Sequence, residues 1–186
     1  AELQITGIDN IVRLECKNAN VQGKGEVNVR QLIKASLRMR PNRIIVGEVR
    51  GGEVLDMIQA MNTGHDGSLS TGHGNSPEGM LSRIEAMFLQ AADFPIDAIR
   101  SQIAEAIDII VHLGRLPDRS RKVLEIAEIE GYREGKIKIN PLFKYTINNC
   151  DNDDGPAGAR LAEGRLVATG SKLVNTGKLE MNGVQI

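Results

Sequence analysis

The sequence has no tryptophan and few other aromatic residues: two Tyr and three Phe among 186 residues, or 3%. A hydrophobic core must therefore consist mainly of Ile, Leu, Val, Met and Ala. Apolar residues still make up 41% and charged residues 25% of the chain, which is typical of a soluble globular protein. The length is sufficient for one ordinary domain with a sizeable core and a short appendage.

Long hydrophobic runs are also absent. No apolar run approaches the ~20 residues that a membrane-spanning helix needs, and no signal-peptide pattern is visible. The two cysteines, Cys16 and Cys150, lie far apart in the sequence, so we expect reduced, structurally incidental thiols and a cytoplasmic protein. The net charge is −1 and no basic block is interleaved with aromatic residues, so we expect no nucleic-acid partner.

The phosphate-binding loop of P-loop NTPases is missing as well. No stretch matches G-x-x-x-x-G-K-[ST], whose backbone amides and Lys hold the nucleotide phosphates. The glycines at Gly23, Gly25, Gly72 and Gly74 do not replace it, because no Lys-Ser or Lys-Thr follows them. This excludes a self-sufficient P-loop enzyme for this chain alone.

Hydrophobic periodicity and turn residues predict alternating strands and helices over the first two thirds of the chain. The predicted strands cover residues 11–15, 43–49, 68–71 and 107–113, and the predicted helices cover 28–40, 53–62, 77–92 and the segment from Pro95. A hairpin follows, with strands at 121–132 and 136–139 and its turn near Gly135. This order predicts an α/β fold whose sheet is mostly parallel and flanked by helices, with a C-terminal hairpin and a short tail.

Composition also predicts the domain boundaries. Residues 148–158 (NNCDNDDGPAG) are polar and rich in turn-forming residues, which is typical of a flexible linker. We therefore predict a main domain at residues 1–146, a linker at 147–159 and a small C-terminal tail at 160–186.

One carboxylate stands directly behind an apolar run in Arg43–Arg50, RIIVGEVR. Ligands of parallel α/β sheets collect at the carboxyl ends of the strands, and Glu48 is at such an end. It could simply cap the following helix or pair with Arg43 or Arg50. It could instead orient a water for attack on a phosphate, or hold Mg²⁺ through water. The short stretch by itself leaves both interpretations open.

Two histidines lie in the glycine-rich stretch Asn62–Pro77, NTGHDGSLSTGHGNSP. Glycine before each of His65 and His73 lets the backbone approach a ligand closely, and a His beside phosphates can donate to a phosphoryl oxygen. Isolated loop histidines are also common on ordinary surfaces. A zinc site including Asp66 is a third interpretation, but the spacing matches no standard zinc pattern.

Four arginines surround the Glu48 segment. Most charges of this kind form solvated ion pairs that contribute little stability. Arginine also presents a fixed fork of donors that suits phosphate, so one or two of them could reach a nucleotide. The four are Arg38, Arg40, Arg43 and Arg50, and we take Arg43 and Arg50 as candidate phosphate-contacting residues.

Taken together, residues 37–87, LRMRPNRIIVGEVRGGEVLDMIQAMNTGHDGSLSTGHGNSPEGMLSRIEAM, resemble the secretion ATPases of type II and type IV secretion systems. The similarity is greatest to the branch that drives tight-adherence (Flp-type) pilus assembly. The resemblance extends over residues 1–145, including residues 96–126, and loosely over 160–186.

The resemblance implies a RecA-like core that works as a homohexameric ring and hydrolyses ATP with Mg²⁺. Glu48 then corresponds to the catalytic glutamate of the family's atypical Walker B strand. His65 and His73 correspond to its His box. Glu2 corresponds to the end of its acidic Asp box, close to the nucleotide and Mg²⁺. No direct protein ligand to a metal is predicted.

Two departures from the family pattern affect these expectations. The family's P-loop and N-terminal domain would lie before Ala1, so the chain resembles only the C-terminal portion, and we expect it to be inactive alone. In addition, Gly72 and Gly74 flank His73, where an apolar residue and Ala are commoner.

The resemblance further implies the cellular role. We expect a motor that couples ATP hydrolysis to protein secretion or pilus assembly, in the cytoplasm and at the inner membrane through platform proteins. The alternative is a non-hydrolysing assembly or regulatory module of such a complex.

Overall fold

The computed structural model describes residues 4–147 and 164–184, which form two compact units. The first unit contains α1, β1, α2, β2, most of α3, and α4; the second contains β3 to β6 and α5. The elements are α1 Val29–Leu37, β1 Ile45–Val46, α2 Glu53–Met61, β2 Leu69–Ser70, α3 Pro77–Ala91, α4 Ile96–Ala106, β3 Ile109–Arg115, β4 Arg121–Arg133, β5 Lys136–Ile147, β6 Gly164–Ala168 and α5 Gly177–Met181.

Helix α1 begins where the sequence predicts. The Asn28 side chain accepts a hydrogen bond from the Gln31 amide at 3.0 Å, and Gln31 Oε1 accepts one from the Asn28 amide at 2.9 Å. This reciprocal capping box satisfies two backbone donors at the helix start. The helix ends at Leu37, before the predicted end at Arg40, which has a positive φ of 52°.

The helices of the first unit enclose its apolar core. Phe88 and Ile99 are fully buried, and the Phe88 ring meets that of Phe94 edge to face at 6.0 Å. Helix α2 has nine residues, and six of them are buried. One of the six is Asp56, which pairs with Arg30 and, at 3.4 Å, with Lys34 of α1. A short polar link thus joins two helices that otherwise pack through apolar side chains. The other large buried apolar side chains of this unit are Ile33, Ile44, Val46, Val49, Val54, Leu55, Met57, Ile58, Leu81, Ile84, Met87 and Ile103.

The parallel sheet of the first unit is small. Strands β1 and β2 pair in parallel through only two residues each, Ile45 with Leu69 and Val46 with Ser70. The length predicted for the strand at 43–49 is therefore wrong, because only Ile45–Val46 form β1. The strand is buried on one side only, since Val46 is 7% exposed and Ile45 is 40% exposed. The predicted strand at residues 11–15 is also wrong, because no ladder partner lies beside it in the described chain.

The second unit is built on a four-stranded antiparallel sheet in the order β3-β4-β5-β6. The predicted, mostly parallel sheet is therefore wrong for the larger of the two sheets. The physical reason is the hairpin between β4 and β5, whose strands are longer than expected and recruit β3 and β6 in the same antiparallel manner. The hairpin itself is confirmed: Glu134 and Gly135 have φ of 54° and 75°, as a two-residue primed turn requires.

The predicted tail contributes to this sheet, since β6 pairs with β5 from Phe143–Ala168 to Ile147–Gly164. The predicted linker at 147–159 lies almost entirely outside the described residues, and the division of the chain at 146 and 159 stays a prediction. Within residues 4–147 and 164–184, no helix has the length and apolar character needed to cross a membrane.

Candidate functional site

The segment after β1 carries Glu48 and is tied to the segment after β2. The Thr71 hydroxyl donates to the Gly47 carbonyl oxygen at 2.5 Å, and the Val49 amide donates to the Thr71 carbonyl oxygen at 3.0 Å. These bonds flank Glu48 on both sides. They place its carboxylate beside His73, two residues after Thr71.

The Glu48 carboxylate meets two basic side chains. Its Oε2 pairs with the Arg50 guanidinium, and its Oε1 lies 3.0 Å from Nε2 of His73. The His73 ring nitrogen is within ion-pair distance but is not aligned as a hydrogen bond. Oε1 is therefore a buried oxygen without a hydrogen-bond partner among the described residues, although the side chain as a whole is 16% exposed.

The charge state of Glu48 follows from these neighbours. The hydrogen bond from Arg50 lowers the pKa of the carboxyl most strongly. Partial burial raises this pKa, but the positive charges of Arg50, His73 and Arg83 lower it further, and the net direction is down. Glu48 is thus a carboxylate at neutral pH, and its Oε1 has no hydrogen-bond partner among the described residues.

A pocket of about 230 Å³ opens next to His73, whose side chain is 82% exposed. It is lined by His73, Gly74, Asn75, Gly79 and Arg83. Arg83 was not among the residues predicted from the sequence. The sequence feature that could have identified it is its position in the second turn of α3, the helix that begins at Pro77. An arginine at this position lies beside the residues that follow His73.

The two glycines around His73 have a steric explanation. A Cβ on Gly74 would lie 3.0 Å from Cβ and 3.1 Å from Cα of Met80, and a Cβ on Gly72 would lie 3.2 Å from Met80 Sδ. The His73 segment therefore passes so close to helix α3 that larger residues do not fit without movement. Glycine here permits the close approach of two backbones.

The turn before helix α2 is held by a different carboxylate, that of Glu53. Oε1 of Glu53 accepts hydrogen bonds from the amides of Arg50 at 2.6 Å and Gly51 at 2.9 Å. Both amides belong to the turn before the helix, and α2 has no side-chain hydrogen bond at its N-cap, Gly52, so helix capping, one of the simple interpretations of Glu48, is not what the Glu48 carboxylate does. The ion pair with Arg50 is the part of that interpretation that the structure contains.

The other predicted site residues lie apart from Glu48. His65 Nδ1 is 3.1 Å from the Ala60 carbonyl oxygen near the end of α2, and the Arg43 side chain lies against Gly67. Within the described part of the chain, neither pairs with Glu48. Glu2 lies outside the described residues. The residues brought together are Glu48, Arg50 and His73, with Arg83 nearby.

This arrangement has a definite chemical capacity. A fixed carboxylate whose Oε1 has no hydrogen-bond partner among the described residues can accept a hydrogen bond from a water and orient it. Cationic donors on one side can stabilise negative charge that develops on a phosphoryl group. Across residues 4–147 and 164–184, the His, Cys, Asp and Glu side chains form no group of three that could hold a metal ion directly.

Comparison with known sequences identifies related proteins. A sequence profile described as "Type II/IV secretion system protein" matches residues 1–171. A Mycobacterium tuberculosis protein whose name assigns it to conjugal transfer is 44% identical over 160 residues, 86% of this chain and 44% of that protein. The type IV secretion system protein PtlH of Bordetella pertussis is 33% identical over 139 residues, 72% of this chain and 40% of that protein.

A solved structure is also similar. The crystal structure of the VirB11 ATPase from the Brucella suis type IV secretion system, in complex with sulphate, superposes with a TM-score of 0.52 and 33% sequence identity. The match covers 55% of this chain and 32% of that one. The chain spans less than half the length of each of these relatives.

Proposed function

The chain belongs to the type II/IV secretion system protein family, and from this membership we propose that it is the C-terminal part of a motor ATPase. That motor couples ATP hydrolysis to protein secretion or pilus assembly. The observation that carries the proposal is Glu48, an ionised carboxylate at the end of a strand whose Oε1 lies 3.0 Å from His73 and has no hydrogen-bond partner among the described residues.

In this proposal Glu48 orients the attacking water through Oε1, the oxygen that has no hydrogen-bond partner among the described residues. Phosphoryl transfer depends mostly on positioning and on stabilising charge, so the water must be held in line with the γ-phosphate. Arg50 fixes the other carboxylate oxygen and keeps the group ionised. The carboxylate is then ready to accept a proton as the water attacks.

His73 and Arg83 act on the phosphate itself. Both line the pocket next to Glu48, and both carry donors that suit phosphoryl oxygens. His73 is mostly exposed, so it can reach a ligand without displacing a buried group. His65 and Arg43 are further candidates for nucleotide contact.

The nucleotide is ATP and the metal is Mg²⁺. When bound, Mg²⁺ would neutralise part of the negative charge of the phosphate groups. Oε1 of Glu48 could accept a hydrogen bond from a water, including one of the several waters that Mg²⁺ usually keeps. Glu2 is the second carboxylate that we propose to bind waters of Mg²⁺. The main phosphate anchors must come from a segment with the P-loop motif, which this sequence lacks.

The remaining features follow from the same proposal. The complete motor has a RecA-like core, with Glu48 on its Walker B strand and His65 and His73 in its His box, and it forms a homohexameric ring. It acts in the cytoplasm and attaches to inner-membrane platform proteins. Membership of the tight-adherence branch is part of this proposal, and the superposition on the VirB11 ATPase supports the general architecture.

Complementation tests this function. The chain is co-expressed with the P-loop-containing half of a family member, and ATP turnover and ring formation are measured. We expect turnover to appear only when both parts are present. Ring formation without turnover would favour the alternative, a non-hydrolysing assembly module, and the absence of both would contradict the proposal.

A further inference from the structure

The last described segment of the chain, residues 172–184, is here named the C-terminal latch. It lies beyond residues 1–171, the part that the family profile matches. The latch contains α5, which has no buried residue, and its side chains Val174, Met181 and Val184 are 53%, 90% and 47% exposed. Apolar burial therefore contributes little to holding it in place.

One buried carboxylate holds the latch instead. Glu128 of β4 is 1% exposed and accepts hydrogen bonds from the amides of Val174 at 2.9 Å and Asn175 at 2.7 Å. Burial has the largest single effect on the Glu128 pKa and raises it, but the hydrogen bonds from Asn175, Val174 and Asn140 together lower it. The carboxylate is thus charged, and the two latch amides stabilise this charge by hydrogen bonding.

Neighbouring groups recognise the latch in more detail. Asn140 Nδ2 donates to Glu128 at 3.0 Å and to the Lys172 carbonyl oxygen at 2.8 Å. Asn175 Nδ2 donates to the Ile129 carbonyl oxygen at 2.9 Å. Lys178 Nζ lies 3.0 Å from both oxygens of Asp108. These contacts therefore bind the latch through its backbone and through the side chains of Asn175 and Lys178, three residues later.

A glycine with a positive φ lies just before the latch. Thr169 is fixed to the sheet, since its amide donates to the Leu142 carbonyl oxygen at 2.9 Å. Gly170 follows with a φ of 89°, a conformation that glycine adopts without strain. A change in the backbone at this residue would release the latch and leave β6 paired with β5.

We propose that Glu128, Asn140, Asp108 and the Ile129 carbonyl form a binding cleft for a peptide segment of the pattern Asn-x-x-Lys, with the Lys in a short helix. The latch occupies this cleft in the closed state. An open cleft would leave a buried charge without two of its donors, and this is costly. Such a cleft retains affinity for any segment that restores them. A partner segment with the same groups can therefore displace the latch. This inference is independent of the proposed ATPase function.

Hydrogen exchange on the full chain tests the closed latch. Asn175→Ala with Lys178→Ala weakens the latch side, and Glu128→Gln places an amide donor against the latch amides. We expect the Val174 and Asn175 amides to exchange roughly tenfold or more faster in both variants, as for the loss of a charge-assisted hydrogen bond. The amides between β4 and β5 should be unchanged, as should all amides in the control Glu125→Gln, whose carboxylate pairs instead with Lys144.

Peptide binding tests the cleft. A fluorescent synthetic peptide of residues 172–184 is titrated into the full-length proteins and followed by anisotropy. We expect saturable binding to the weakened-latch variant, at least about tenfold tighter than to the wild type, whose cleft is already occupied. Adding Glu128→Gln should abolish this binding. Unchanged latch exchange in both variants, or equal peptide affinity across all proteins, would overturn the proposal.

Discussion

Nε2 of His73 lies 3.0 Å from Oε1 of Glu48, the carboxylate oxygen that has no hydrogen-bond partner among the described residues. The two side chains come from segments that follow different strands of the small parallel pair. They place a ring nitrogen of His73 directly beside the Glu48 oxygen that lacks a hydrogen-bond partner among the described residues. A water hydrogen-bonded to Glu48 would therefore lie next to a phosphoryl group hydrogen-bonded to His73.

Replacing His73 by Ala should lower turnover in the complemented enzyme more than it lowers nucleotide affinity. A donor that acts on charge developing in the transition state affects kcat more than ground-state binding. We expect a loss on the order of 10²-fold in kcat, with the dissociation constant for ATP nearly unchanged. Steady-state kinetics and equilibrium binding check this, with His112→Ala on β3 as the control. An unchanged kcat would show that His73 takes no part.

Replacing Gly74 by Ala should destabilise the first unit. The new Cβ would meet the Met80 backbone at about 3.1 Å, and crowding of this kind costs about 1–3 kcal/mol. Gly47→Ala is the matched control, because nothing lies within 4 Å of its added Cβ. Urea unfolding measures both variants. Equal stabilities would contradict the close approach of the His73 segment to α3.

Replacing Asp56 by Asn should loosen α1 from α2. Asp56 is 5% exposed and pairs with Arg30 and Lys34, so the free energy of unfolding should fall by about 1–3 kcal/mol. Asp93→Asn changes an exposed carboxylate and should have an effect within about 0.5 kcal/mol. The comparison fails if the two variants unfold at the same urea concentration.

The stabilising effect of Glu128 should depend on pH. The folded-state pKa of this carboxyl lies below its usual value, so its contribution is fully present above about pH 4.3, the ordinary Glu value. It is lost as the pH falls through the lower folded-state pKa. The difference in unfolding free energy between the wild type and Glu128→Gln should therefore shrink in acid. A constant difference from pH 7 to pH 3 would contradict this.

Local features of the fold could be predicted from the sequence. The Asn28 cap, the start of α3 at Pro77 and the Glu134–Gly135 turn each depend on a few adjacent residues, and these features are present in the structure. Features that depend on distant partners could not be predicted in this way. The antiparallel direction of the larger sheet follows from the pairing of β3 with β4 and of β6 with β5. Residues 11–15 have no partner strand among the described residues.

The candidate site divides in the same manner. Glu48 and His73 stood out because carboxylates after apolar runs and histidines among glycines are recognisable locally. Arg83 and the bond between Glu128 and Asn175 were not recognisable, since each depends on segments that are brought together only by folding. The crowding of Gly74 by Met80 was likewise invisible until the backbones were placed.

Glu48→Gln in the complemented enzyme tests the central claim most directly. The amide keeps the shape of the side chain but loses the charge and basicity that orient the water. Binding of a fluorescent ATP analogue and release of inorganic phosphate are measured on the same preparation, with Glu53→Gln as the control for a change in the same segment. The account predicts unchanged binding with phosphate release reduced to background, and no release by the chain alone. Phosphate release by the chain alone that Glu48→Gln leaves intact would contradict it.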